Sequence, residues 1–260
     1  MRGLWSKVLL ALVLIEAAVI AAPRVRSAVF APEPENQVAR GARLAASMGC
    51  FACHGPGGTG GHPNPGSASG EVPGFSGGVP MMYAEDDAEL LAYIDDGLPP
   101  RRANDAAYKA KADAALLRMP AFKSRLAPGD AQALVAYVKA AAGLSRPSDD
   151  TASKGWDVAT ANGCFGCHGA GGAGGVRNPG SLKGVIPGFL GTDFSELVKG
   201  DDELRGWIRD GSIPRLANNP AAEHFLAGQV VHMPAFGKHL SDADLAALVA
   251  LLHALRAHPS

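Results

Sequence analysis

Apolar residues recur at intervals of three and four along most of the chain, and nowhere do they alternate over the length of a strand. The clearest case lies near the C-terminus. Leu245, Leu248, Val249, Leu252 and Leu255 share one helical face, and Ser241 followed by Asp244 supplies a capping pattern just ahead of them. Gly129–Ala142 is the matching segment earlier in the chain. Leu90, Leu91 and Ile94 predict a helix over Asp86–Asp95 that Gly97 ends, and Leu204, Trp207 and Ile208 predict another before Gly211. Val38–Met48 and Trp156–Asn162 read as helices that stop just short of Cys50 and Cys164, and Asp105–Leu117 also reads as helical. Two long glycine- and proline-rich loops, Gly55–Tyr83 and Gly169–Gly191, separate these segments. The expected fold class is all-α.

The first segment stands apart. Arg2 and Lys7 precede a run from Val8 to Ala22 broken only by Glu16, and Arg24 and Arg26 follow. A charged start and an apolar run of this length predict an exported chain. Val19-Ile20-Ala21 is an acceptable cleavage context, whereas Pro23 and Pro32 spoil the cuts after Ala22 and Ala31. A cleaved signal and an uncleaved N-terminal hydrophobic helix that anchors the chain in the membrane both fit, with the basic start on the cytoplasmic side. Either places the rest in the periplasm or on the outer face of the cytoplasmic membrane.

Sliding the chain against itself by 114 positions brings its landmarks into register without an insertion. Cys50, Cys53 and His54 fall on Cys164, Cys167 and His168. Asn64-Pro65-Gly66-Ser67 falls on Asn178-Pro179-Gly180-Ser181, and Pro73-Gly74-Phe75 on Pro187-Gly188-Phe189. Met119-Pro120-Ala121-Phe122 falls on Met233-Pro234-Ala235-Phe236. Two copies at this period are a duplicated domain and not a solenoid. The expected organisation is 1–35 as leader or anchor plus spacer, 36–145 as a first domain and 150–260 as a second. The boundary lies within Gly143–Lys154, where Ser, Pro and Asp cluster.

Composition narrows the class. With 260 residues, 47% hydrophobic and 19% charged, a packed core is within reach. The net charge of −1 excludes a strongly basic nucleic-acid binder. The halves are matched too, with 11 basic and 12 acidic side chains over 37–150 and 9 and 10 over 151–260, so totals reveal no single-sign docking face.

All four cysteines sit in the two Cys-x-x-Cys-His motifs. Two thiols three residues apart reach the two vinyl groups of a porphyrin as thioethers, and the adjacent imidazole then meets the iron from the same side. A zinc site would require Cys pairs more than 100 residues apart to converge. A redox dithiol or a disulfide does not require the adjacent His that both copies carry. Two covalently bound haem c groups are therefore expected, held by Cys50, Cys53, Cys164 and Cys167, with His54 and His168 on the irons.

From residue 36 onward the chain resembles a dihaem member of the class I cytochrome c family. The resemblance implies two tandem cytochrome c-like helical domains with long haem-wrapping loops. It also implies a methionine as second axial ligand, at Met119 and Met233, each 65 residues after its His. Elimination agrees, since Met233 is the one Met of the second unit, and Met48, Met81 and Met82 have no Met counterpart in the repeat. His232 adjoins Met233 and is a competing ligand, although Arg118 stands at its matching place. His62 reads as a solvent-facing loop residue. Gly41 and Gly155 match the family glycine that lets the first helix cross the last, facing Tyr137 and Leu251. Arg101 and Arg215 either meet haem propionates or stand as exposed loop arginines. The glycine runs after each His are expected to let backbone pass close to the porphyrin edge.

His/Met ligation fills both axial positions and raises the reduction potential relative to two histidines. Phe122 and Phe236 are expected in the apolar walls. The expected function is single-electron transfer without substrate chemistry, so the protein is read as an electron carrier or electron-transfer subunit and not an enzyme. Redox partner proteins follow, such as a membrane dehydrogenase, reductase or oxidase complex or a soluble carrier, with no nucleic acid. The alternative is a dihaem redox enzyme such as a peroxidase or a thiosulfate dehydrogenase, which would need an openable or unusual ligand position at one haem.

Overall fold

The computed structural model describes residues 35–76 and 78–257. The N-terminal leader or anchor, with its expected hydrophobic helix, lies almost wholly outside the described residues. Among them, no helix is long and apolar enough to cross a membrane.

The described chain is helical, and its only β pairing is two isolated bridges, Pro63 with Glu71 and Arg177 with Val185. In the first unit α1 spans Gln37–Ser47, α2 Cys50–His54, α3 Asp87–Asp96, α4 Ala106–Ala114 and α5 Asp130–Ala141. In the second, α6 spans Asp150–Ala161, α7 Cys164–His168, α8 Asp201–Asp210, α9 Pro220–Gly228 and α10 Asp242–Ala257. Single-turn helices fill parts of the loops, at Pro80–Tyr83 and Pro100–Ala103 and again at Thr192–Leu197 and Pro214–Ala217.

Local chemistry sets the helix starts. Asn36, Asp86, Asp105, Asp149 and Asn219 each turn a side-chain oxygen onto a free backbone amide of the turn that follows. At the head of α10 the expected cap forms in both directions. Ser241 Oγ accepts from the Asp244 amide at 3.1 Å, and Asp244 Oδ2 accepts from the Ser241 amide at 3.3 Å. Two boundaries differ from expectation, one being the end of α4 at Ala114, three residues short of Leu117, where Ala115 turns to an extended conformation. Helix α6 begins at Asp150, six residues before Trp156, because Asp149 accepts from the Ala152 amide at 2.9 Å. The Ser/Asp content there is a helix cap and first turn, and the true connection between units is correspondingly shorter.

In each unit the first and last helices cross at a glycine. A Cβ on Gly41 would lie 1.9 Å from the Ala133 carbonyl oxygen and 2.6 Å from Tyr137 Cβ. On Gly155 it would lie 2.1 Å from the Ala247 oxygen and 2.8 Å from Leu251 Cβ. The expected facing residues are therefore the observed ones. Around each crossing sits a separate core: Leu44, Ala45, Leu134 and Val135 in one, Trp156, Leu248, Leu251 and Leu252 in the other. The units also touch. Ala173, in the loop after His168, is buried among first-unit core residues, and its carbonyl accepts a hydrogen bond from Asn36 Nδ2 at 2.7 Å. Arg146 forks onto both carboxylate oxygens of Asp157 at 2.6 Å, which ties the connection to α6.

Candidate functional site

Helices α2 and α7 are barely more than one turn, and that turn places each pair of cysteines, three residues apart, on one face. The next residue, His54 or His168, is fixed by backbone. His54 Nδ1 lies 2.6 Å from the Pro73 carbonyl oxygen, and His168 Nδ1 lies 2.8 Å from that of Pro187. A carbonyl only accepts, so Nδ1 donates and carries the proton, and Nε2 is left with its lone pair for a metal. Burial holds both imidazoles below the ordinary histidine range, against the opposing pull of these proline bonds. Neutral imidazole is the ligating form. Burial also pushes the Cys50 and Cys164 thiols up.

Each imidazole leans on a phenylalanine that the glycine loop seats. The His54 and Phe75 ring centroids are 5.4 Å apart, and those of His168 and Phe189 are 4.7 Å apart. A Cβ on Gly58 would lie 2.1 Å from Phe75 Cε2, and one on Gly172 would lie 2.1 Å from Phe189 Cδ2. These two glycines are thus required by a phenylalanine ring, which the sequence reading did not foresee.

The methionine segments are pinned at three points. Asn64 Nδ2 donates to the Leu117 carbonyl at 2.9 Å and its Oδ1 accepts from the Leu117 amide at 2.8 Å. Asn178 repeats this with Val231, at 2.9 and 2.8 Å. Two residues on, Met119 and Met233 pass so close to Gly97 and Gly211 that a Cβ on either glycine would lie 2.4 Å from the methionine carbonyl oxygen. Then the Phe122 amide donates to Ile94 and the Phe236 amide to Ile208, both at 3.0 Å. Asn64 and Asn178 are 5% and 3% exposed, so these polar groups depend on their partners. Both asparagines are repeat landmarks, but nothing local in the sequence links them to a segment 53 residues away.

In the first unit Cys50, Cys53, His54, Met119 and the buried ring of Phe122 line one cavity of about 540 Å³. That is within the usual range of about 300–1,000 Å³ for ligand and cofactor pockets. Two thiols and an imidazole nitrogen on its wall, a thioether elsewhere and apolar side chains between fit a large flat apolar group carrying a metal. In the second unit Cys164, Met233 and Phe236 likewise pack against the core that holds Leu248 and Leu251.

Other candidates fall away from these walls. Arg101 does not line the cavity. Its Nη2 donates to Glu89 at 2.8 Å, and it also pairs with Glu85 at 3.2 Å. Arg215 grips Glu203 the same way, at 2.7 and 2.8 Å. Both arginines are exposed, each with a carboxylate as partner. His62, His224, His232, His239 and His253 are all exposed, and His232 points outward beside the half-buried Met233. Among the described residues no group of three or more His, Cys, Asp or Glu gathers to hold a metal ion, so the two Cys pairs do not converge.

The Cytochrome c family model matches the chain twice, over residues 38–142 and 152–256. No curated protein matches.

Proposed function

Because the chain belongs to the cytochrome c family through both of its units, we propose that each unit holds its haem through the residues that line its site. It carries two covalently bound haem c groups and is a haem c electron-transfer cytochrome. In this reading Cys50 and Cys53, and Cys164 and Cys167, form the thioethers. His54 and His168 would ligate the irons through nitrogen, and Met119 and Met233 through sulfur.

The group supplies a one-electron iron couple, and the protein's part is to hold its surroundings still. Pro73 and Pro187 orient the imidazoles through Nδ1. Asn64 and Asn178, Gly97 and Gly211 fix where the thioether sulfurs sit. Phe75, Phe122, Phe189 and Phe236 keep water from the irons and favour the less charged reduced state. With these residues on both sides of each iron no place would be left for a substrate, which supports reading the chain as a carrier or electron-transfer subunit and not as an enzyme.

The charged start and apolar run at residues 2–26 support an exported position, in the periplasm or on the outer face of the cytoplasmic membrane. There its partners are redox proteins, membrane complexes or soluble carriers. The observation that carries this reading is the common cavity of Cys50, Cys53, His54 and Met119. Carbon monoxide added to the reduced holoprotein tests it. The expected result is no spectral change at either haem. Ready binding at one haem replaces the carrier with the peroxidase-type enzyme. Fractionation of producing cells and the intact mass of the mature chain test export and cleavage.

A further inference from the structure

The four tyrosines of this chain all belong to the first unit, and all four line its cavity. The repeat places Leu197, Trp207, Ala222 and Leu251 opposite Tyr83, Tyr93, Tyr108 and Tyr137. The same shift replaces cavity-lining Lys111 and Asp113 by Phe225 and Ala227. Duplication has therefore kept the four cysteines, His54 with His168 and Met119 with Met233, while changing the polarity of what surrounds them.

The phenols do not simply satisfy one another. Tyr93 and Tyr108 share one hydrogen bond, oxygen to oxygen at 3.1 Å, while the Arg102 guanidinium lies 4.6 Å above the Tyr108 ring. Two hydroxyls bring two protons, and their mutual bond uses one. The other is uncommitted, so that hydroxyl is free to turn its oxygen, the negative end of its dipole, towards positive charge in the cavity. In the second unit the equivalent ring has no such surplus, because Trp207 Nε1 donates to the Leu197 carbonyl at 3.3 Å. Leu251 is wholly buried. Polar replacements in the opposite sense include Asn162 for Met48 and Lys183 for Ser69, which spend their donors on Val158 and Asp193, and Ser212 for Leu98 and Gln229 for Ala115.

We propose that the Tyr93–Tyr108 pair, with the polar lining around it, makes the first haem the lower-potential centre, so that a single electron on the chain resides at the second. The proposal rests on the haem sites assigned above. Its physical basis is that ferric haem carries more positive charge than ferrous haem. Hydroxyls that turn their oxygen towards it and nearby carboxylates stabilise it, cations such as Arg102 and Lys111 oppose that, and an apolar lining favours the reduced state.

The test is an NMR-followed redox titration of the full holoprotein, with haem methyl signals resolved for each unit. The expected result is two potentials, the first unit's lower, with the second haem reduced first. In the double variant Tyr93→Phe/Tyr108→Phe, the first haem's ratio of oxidised to reduced form at fixed potential should fall about tenfold, which is about 59 mV for one electron. The second haem should not move. Equal potentials, a reversed order, or a variant that shifts both haems or neither overturns the proposal. Should the variant not fold, the half-reduced unaltered protein decides by where its electron sits. The weak long-wavelength Met–Fe(III) band is recorded alongside. Its absence from the unaltered protein overturns the axial assignment and is read separately from the order of potentials.

Discussion

Asn64 and Leu117 are joined by a reciprocal pair of hydrogen bonds, 2.9 Å through Nδ2 and 2.8 Å through Oδ1, across 53 residues of chain. Nearly all of the Asn64 side chain is buried, so truncating it orphans both the amide and the carbonyl of Leu117, two residues before Met119. Leaving such groups unsatisfied costs about 1–3 kcal/mol each. Asn64→Ala should lower unfolding stability by about 2–6 kcal/mol on that scale. It should also weaken the Met–Fe(III) band by up to half, and Asn178→Ala should do the same for the other half. Denaturant titration and the ferric spectrum check both. A variant with the full band would show that the asparagine does not position the methionine.

The helix crossings make a second prediction. Gly155→Ala puts a methyl carbon 2.1 Å from the Ala247 carbonyl oxygen, which forces α6 and α10 apart. Overpacking in a well-filled core costs about 1–3 kcal/mol, occasionally more, and backbone as the obstacle places this change at the upper end. Gly41→Ala meets the Ala133 oxygen at 1.9 Å and should destabilise the first unit as strongly. Calorimetry reads both. By contrast Gly166→Ala, where a Cβ meets nothing within 4 Å, should be nearly silent.

Acid should release a defined pair of contacts. Arg101 hydrogen-bonds Glu89 and holds its carboxyl down at about 2, and Arg215 does the same for Glu203, also to about 2. A depressed carboxyl contributes stability that is complete above its ordinary value of 4.5 and is lost as pH falls towards 2. Glu89→Gln should therefore be less stable than the unaltered protein at neutral pH. The difference should close between about pH 4.5 and 2. These pairs are exposed, so added salt should shrink it too. Denaturant midpoints across that pH range provide the measurement, and a difference that survives at pH 2 would contradict it.

Much of this molecule was legible as sequence because the chain is printed twice. The 114-residue register selected Met119 over Met48, Met81 and Met82 before any geometry was known. Helical spacing of Leu245 to Leu255 and the Ser241–Asp244 cap were local signals, and local signals survive folding. What was not legible was long-range. The Arg101–Glu89 pairing could not be read from Arg101 alone, and the start of α6 was hidden because Asp149 looks the same in a linker as at a helix cap. The tyrosine lining was missed for the opposite reason. It breaks the repeat, and attention to what recurs passes over Tyr93 and Tyr108.

The central claim is sulfur on the far side of both irons, from Met119 and Met233. The direct measurement is the Met–Fe(III) band of the ferric holoprotein per chain, in the unaltered protein and in Met119→Ala and Met233→Ala separately. The account predicts intensity for two haems, with each variant losing half while both haems stay covalently attached. A band of single-haem intensity in the unaltered protein, or one that survives either substitution undiminished, would contradict it.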